Sequence, residues 1–119
     1  MTNIDDLAGS LGRALGNTPE YRTLARAKEC ADDDRRIVEL TNQLRQQEGT
    51  LQAAIREGKE PDQAEMERYE AALNKLQASS VYQSLVSAQA NFDKVMYRVN
   101  AAIQKGMQEG AASRIILTS

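Results

Sequence analysis

The stretch IVELTNQLRQQEGTLQAA, Ile37 to Ala54, decides the fold. Ile37, Leu40, Leu44, Gln47, Leu51 and Ala54 follow one another at alternating intervals of three and four residues. That pattern is a heptad seam with one polar and one small position, and a helix bearing it needs a second helix to cover it. Gly49 falls outside the seam, so the helix should pass through it. The segment EGKEPDQAE, Glu57 to Glu65, ends the run. Gly58 suits a helix C-terminus, and Asp62 with Glu65 forms a D-x-x-E capping box for the next helix. That helix carries Met66, Tyr69, Leu73 and Leu76, again at intervals of three, four and three. Two such helices joined by a short polar turn predict a long antiparallel hairpin.

Working towards the N-terminus, Ile4, Leu7, Ala8, Leu11, Ala14 and Leu15 share one helical face. Thr2 or Asn3 can cap this helix, and Asp5 and Asp6 suit its positive end. Gly9 and Gly12 lie off that face and cost about 1 kcal/mol each relative to Ala. So short a helix is marginal alone. It should dock through Leu7 and Leu11 on its own chain or on another. Gly16 and Asn17 end it, Thr18 caps the next helix, and Pro19 takes the first helical position, where a missing N–H costs nothing. Tyr21, Leu24, Ala25 and Lys28 trace one side. Continued at 3.6 residues per turn, that stripe would bring Arg35 to the buried face. A break near Ala31–Asp34 resolves the conflict, with Asp32 or Asp33 as the new cap. A single bent helix is the alternative.

Towards the C-terminus, Ser79 or Ser80 caps a last long helix. Its seam is Leu85, Ala88, Phe92, Val95, Val99 and Ala102, flanked by Tyr82, Met96 and Ile103. Gly106 and Gly110 are expected to fray it. The chain therefore divides into one helical domain, residues 1–105, and a flexible or partner-docking tail, residues 106–119, in which Ile115, Ile116 and Leu117 could dock on a neighbour. The two long stretches TPEYRTLARAKE (Thr18–Glu29) and SSVYQSLVSAQA (Ser79–Ala90) share a hydroxyl residue followed by Tyr-x-x-Leu-x-x-Ala. Either two helix starts obey the same capping and packing rules, or a duplication underlies them.

Composition agrees with long amphipathic helices on narrow seams. The 119 residues include no Trp, one Phe and four Tyr, and 27% of them are charged. Fifteen basic and seventeen acidic side chains give a net charge of −2, which argues against a general nucleic-acid binder. The charge is uneven: residues 75–119 hold five basic and two acidic side chains. No apolar run is long enough to cross a membrane, and no basic segment followed by an apolar core marks a signal peptide. The expected location is the cytoplasm.

No catalytic residue set emerges. The chain has no histidine, which removes the commonest general base and metal ligand. Its one cysteine, Cys30, precludes an internal disulfide and a thiolate metal site within one chain, and reads as a semi-buried structural thiol. Neither glycine-rich phosphate-binding motif occurs. Asp32, Asp33 and Asp34 lack the spacing of a calcium loop and read as helix-capping residues. Lys94, Arg98 and Lys105 share a face at intervals of four and seven, a stripe that could meet RNA or an acidic partner, although it reads first as a solvated face with no aromatic residue interleaved for base stacking. No metal or cofactor is expected.

The ordered set of Pro19, Tyr21, Leu24 and Ala27, a break, a long heptad helix, a Gly/Pro turn, a shorter helix, and then Tyr82, Leu85, Ala88 and Phe92 resembles the YlbF/YmcA family of small bacterial control-of-competence regulators. The resemblance covers about residues 4–105. It implies an all-helical, non-enzymatic cytoplasmic protein that self-associates, with some members in hetero-complexes linked to competence, sporulation, biofilm programmes and ribonuclease Y-dependent RNA processing. Some members bind iron–sulfur clusters through added cysteines, a set this chain lacks.

The reading is therefore an all-α protein of about five helices, oligomeric, acting as an adaptor through its surfaces. Leu7, Leu11, Tyr21, Leu24, Leu40, Leu44, Tyr82, Leu85, Phe92, Val95 and Val99 are the expected core and subunit interface. Lys94, Arg98 and Lys105 are the candidate contacts to a partner or RNA. Expected partners are the protein itself and a regulatory protein. The alternatives are a structural scaffold or cargo protein held by its Arg114–Ser119 tail, and an RNA-binding accessory protein.

Overall fold

The computed structural model describes residues 3–118, with side chains up to Ala112. Five helices and no strand occur among these residues: α1 (Ile4–Gly16), α2 (Pro19–Asp33), α3 (Arg35–Arg56), α4 (Gln63–Ala78) and α5 (Ser80–Thr118). The all-α class and the helical hairpin expected from the seams are both present. α3 packs on α4 and α2 packs on α5, while α1 meets the start of α2. The molecule is a rod of 68 × 37 × 20 Å with a radius of gyration of 21.7 Å. A compact domain of this length would have a radius near 14 Å.

Each junction has a chemical cause. Asn3 caps α1, its Oδ1 accepting from the Asp5 N–H at 3.1 Å. Thr18 caps α2 by accepting from the Tyr21 N–H at 3.2 Å, and its hydroxyl donates back to the Leu15 carbonyl at 2.6 Å. Ser79 caps α5 by accepting from the Tyr82 N–H at 3.4 Å. The two Tyr-x-x-Leu-x-x-Ala phrases thus begin helices in the same way, with a hydroxyl cap three residues before the tyrosine. Their rings meet different neighbours. Tyr82 packs against the core beside Leu76, whereas Tyr21 sets its ring edge-on to Phe92, with centroids 5.4 Å apart.

The break between α2 and α3 falls at Asp34, not at Asp32 or Asp33. Asp34 is extended (φ −87°, ψ 105°), and its Oδ1 accepts from the N–H groups of both Arg36 and Ile37, at 3.0 and 3.2 Å. Placing the break one residue before Arg35 lets Ala31, in phase with Leu24, stay buried. Arg35 then starts a new helix that faces solvent, and Ile37 opens the next seam. The hairpin turn is equally determined. Gly58 adopts φ 72°, its N–H donates to the Ile55 carbonyl, and the Lys59 N–H donates to the Ala54 carbonyl at 2.9 Å. This pair of hydrogen bonds satisfies the last carbonyls of α3 in the way that favours glycine just past a helix end. Asp62 caps α4, accepting from the Ala64 N–H at 3.2 Å. α5 runs through Gly106 and Gly110 without fraying and ends at Thr118. A glycine costs about 1 kcal/mol in a helix, which the good helix formers around it (Gln104, Lys105, Met107, Gln108, Glu109) offset.

The core straddles both breaks. Ala31, Ile37, Leu40, Leu44, Ala72 and Leu76 form its buried centre, with Tyr69, Leu73, Val81, Tyr82 and Leu85 packed around it. Beyond Leu44 the seam weakens. Gln47 is half-buried, and its Oε1 has no partner among the described residues. Tyr69 compensates nearby by donating its hydroxyl to the Glu48 carboxylate at 2.9 Å, which holds the phenol above its ordinary pKa.

Two outcomes follow from this account. Asp34→Ala should destabilise the chain by about 0.5–2 kcal/mol, and Asp34→Asn by much less; equal urea midpoints for wild type and Asp34→Ala would remove the cap from the explanation. Leu44→Ala should cost about 2–5 kcal/mol through the cavity it leaves. Leu44→Asp should abolish cooperative melting, because an unpaired charge would be buried.

Candidate interaction surface

The residues expected to form the core separate into three groups. Leu24, Leu40, Leu44 and Val95 are buried. Tyr82, Leu85, Phe92 and Val99 are half-buried, and Tyr21 is exposed apart from its contact with Phe92. Leu7 and Leu11 are not docked on the chain at all. Leu7 is 56% exposed, Ile4 79%, and α1 contains no buried residue. The reason is geometric. Asn17 and Thr18 are the whole link between α1 and α2, and both are hydrogen-bonded back to α1, Asn17 through its N–H to the Arg13 carbonyl and Thr18 to that of Leu15. The turn they fix carries α1 away from the hairpin, so its apolar face stays uncovered.

The same end of the molecule exposes a second apolar stripe. All residues from Asn100 to Ala112 are exposed, as α5 outruns the start of α2. Ile103 and Met107 continue the line of Val99 there, and Met107 is 62% exposed. Two amphipathic helices, α1 and the distal part of α5, are therefore both uncovered in the monomer.

Between the first turn of α2 and α5 lies a groove of about 650 Å³. Pro19, Glu20 and Thr23 form one wall, Lys94, Tyr97 and Arg98 the other, and Ala88 and Val95 the apolar floor. Lys94 and Arg98 meet here as the sequence suggested, and neither makes an ion pair among the described residues. Lys105 lies outside the groove, 4.0 Å from Glu109. Tyr97 corrects the expectation that no aromatic interleaves with the basic stripe: it lines the groove and is 77% exposed. A large aromatic beside two cations, off every apolar seam, was the signal available in the sequence.

Other expectations also changed. Cys30 is exposed, not semi-buried. It lies six residues after Leu24, about a third of a turn off the Leu24–Ala31 stripe. Ala31 and Ala72 are buried core residues that a search for large apolar side chains passes over. Ala31 is seven residues after Leu24, and Ala72 is four before Leu76, spacings that mark them as close-approach positions. The described residues contain no group of three or more His, Cys, Asp or Glu side chains placed to hold a metal ion. Ile115, Ile116 and Leu117 lie outside the residues whose side chains are described.

The described residues thus form an elongated all-helical protein with an uncovered apolar end and a small basic groove. The chain belongs to the family described as control of competence regulator ComK, YlbF/YmcA, which matches residues 4–108. Its relatives include a UPF0342 protein of Staphylococcus saprophyticus, 23% identical over 107 residues that span 90% of this chain and 94% of the relative. A UPF0342 protein of Limosilactobacillus reuteri is 24% identical over 109 residues, spanning 92% and 89%. No helix among the described residues is long and apolar enough to cross a membrane.

The uncovered α1 face gives a direct test. Leu7→Asp/Leu11→Asp should leave the melting of the α2–α5 core within about 0.5 kcal/mol of wild type, the range of surface substitutions, when measured on dilute protein. A loss of several kcal/mol there would place α1 in the monomer core after all.

Proposed function

We propose that this chain is a non-enzymatic regulatory adaptor of the cytoplasm, acting by self-association and by offering a helical surface to a regulatory protein partner. The observation that carries the reading is that α1 and distal α5 leave Ile4, Leu7, Ile103 and Met107 exposed at helical spacing. Large apolar side chains clustered on a monomer's surface mark sites of association. The family's description as a regulator of competence supports a regulatory setting, either a developmental programme or the RNA processing connected with one.

A second reading has its own observation. Lys94, Tyr97 and Arg98 place two cations and an exposed ring on one groove. Such a pairing suits single-stranded RNA, where rings stack on bases and cations follow phosphates. Affinity for RNA would then fall steeply with salt, by counterion release.

Gentle purification of the tagged protein from its native host, with and without nuclease, decides between these. A protein partner retained after nuclease treatment supports the adaptor. Material lost on nuclease treatment, with salt-dependent RNA binding that Arg98→Ala weakens, transfers the function to RNA. Recovery of this chain alone, as a stable homo-oligomer, points to a structural scaffold and overturns the adaptor.

A further inference from the structure

We propose that the groove between α2 and α5 receives a short, extended, acidic segment of a partner protein, with the pattern acidic-x-acidic-x-apolar. This rests on the adaptor reading above and names the chemistry of the partner that the groove would hold.

Charge calls for an anionic occupant. Lys94 and Arg98 are exposed on one wall and make no ion pair among the described residues. The two acidic side chains of α5 are engaged elsewhere. Asp93 accepts from the Gln89 amide at 2.9 Å, and Glu109 lies 4.0 Å from Lys105. Two unneutralised cations over an apolar floor draw an opposite charge into the groove.

Spacing calls for an extended peptide. Lys94 and Arg98 are one helical turn apart, about 6 Å along the axis. Residues i and i+2 of an extended chain point the same way and stand about 6.6 Å apart. Two acidic side chains in that register meet the two cations. Residue i+4 then falls about 6.6 Å further on, near Ala88, which precedes Lys94 by about 9 Å of helix. Ala88 and Val95 are buried core residues, so the floor that an apolar side chain would cover is fixed in place. The facing wall is fixed too, by the Thr18 cap and by Tyr21 packed on Phe92. A groove already in its bound shape loses little order on binding, which favours affinity.

The facing wall also selects peptide over RNA. Glu20 is half-buried there and makes no ion pair among the described residues. An ionised carboxylate only accepts hydrogen bonds. A peptide backbone offers it N–H donors, whereas a phosphodiester offers a second negative charge. RNA affinity also grows with the number of phosphates neutralised, and the groove supplies two cations. Tyr97, 77% exposed, stands at the rim, where its ring can pack on the segment while its hydroxyl stays wet. Ile103 and Met107 lie roughly half a turn round α5 from Lys94 and Arg98. The groove therefore stays open whatever covers that apolar stripe.

The test is selection of a phage-displayed library of random peptides on the full chain and on Lys94→Glu/Arg98→Glu. Both changes are at exposed positions, and circular dichroism verifies that the variant keeps its helices. Wild type should enrich acidic-x-acidic-x-apolar sequences, and the variant should not. A synthetic peptide of the enriched sequence should bind the variant roughly tenfold more weakly or worse in fluorescence anisotropy. Lys105→Glu should bind it within about twofold of wild type, because Lys105 lies about 10 Å along the helix from Arg98, a Debye length at physiological salt. An absence of acidic enrichment, the same enrichment on the variant, or an equal loss with Lys105→Glu would each overturn the proposal. So would a uridine oligonucleotide that binds the groove more tightly than the selected peptide, since the groove would then serve RNA. Partner capture separates this from the adaptor reading: a host protein retained equally by wild type and by Lys94→Glu/Arg98→Glu would keep the adaptor and overturn the groove.

Discussion

The structure depends on a limit of two-helix packing: a helix that touches a neighbour on one side buries only one stripe. Along most of this rod each level contains just two helices, α2 with α5 or α3 with α4. The buried set is correspondingly small and narrow, from Leu24 and Ala31 through Leu44 on one arm of the hairpin and from Ala72 through Val95 on the other. Small residues dominate the closest approaches, with Ala31, Ala72 and Ala88 among the most buried positions. Close approach raises contact per residue where large side chains are scarce. Both breaks, Asp34 and Ser79, serve the same limit. Each resets the phase of a helix so that its next stripe faces the partner instead of drifting to solvent.

That limit also explains the uncovered end. α1 packs on α2 and buries none of its residues, so it joins neither two-helix pair. Its apolar face and the far end of α5 are therefore uncovered in the monomer. In functional terms the fold is a short rod with one finished region, the hairpin core, and one unfinished region at α1 and distal α5. An association surface built this way can be strong without any large cavity or catalytic group, since apolar area removed from water stabilises at about 25 cal/mol per Å² before the costs of association.

Much of this was legible in the sequence because helices write their rules locally. The heptad of Ile37–Ala54, Gly58 at the turn, and the caps Thr18 and Asp62 are all read from residues within one turn of the feature they control, whereas Asn3 stood beside Thr2, and Ser79 beside Ser80, until the structure chose between them. The break was legible as a phase conflict at Arg35, although the choice of Asp34 over its neighbours depended on which carboxylate reaches the N–H groups of Arg36 and Ile37. What was not legible was relative placement. Leu7 and Leu11 announce an apolar face but not what lies opposite it. Tyr97 falls outside every seam, so its position beside Lys94 and Arg98 emerges only when α2 and α5 form a groove. Cys30 and Ala72 were misjudged or missed because burial depends on how closely the facing helix approaches, a property of the pair and not of either sequence.

The central claim is that α1 and distal α5 are covered by another molecule in the working protein, with a second copy of the chain as the first candidate. Amide hydrogen exchange measured across a range of protein concentrations tests it most directly. The account predicts that amides of residues 4–16 and 99–112 gain protection together as concentration rises, while those of Ile37–Leu44 stay protected throughout. Exchange of α1 and distal α5 at the rate of isolated short helices at every concentration, with a monomeric mass, would contradict it.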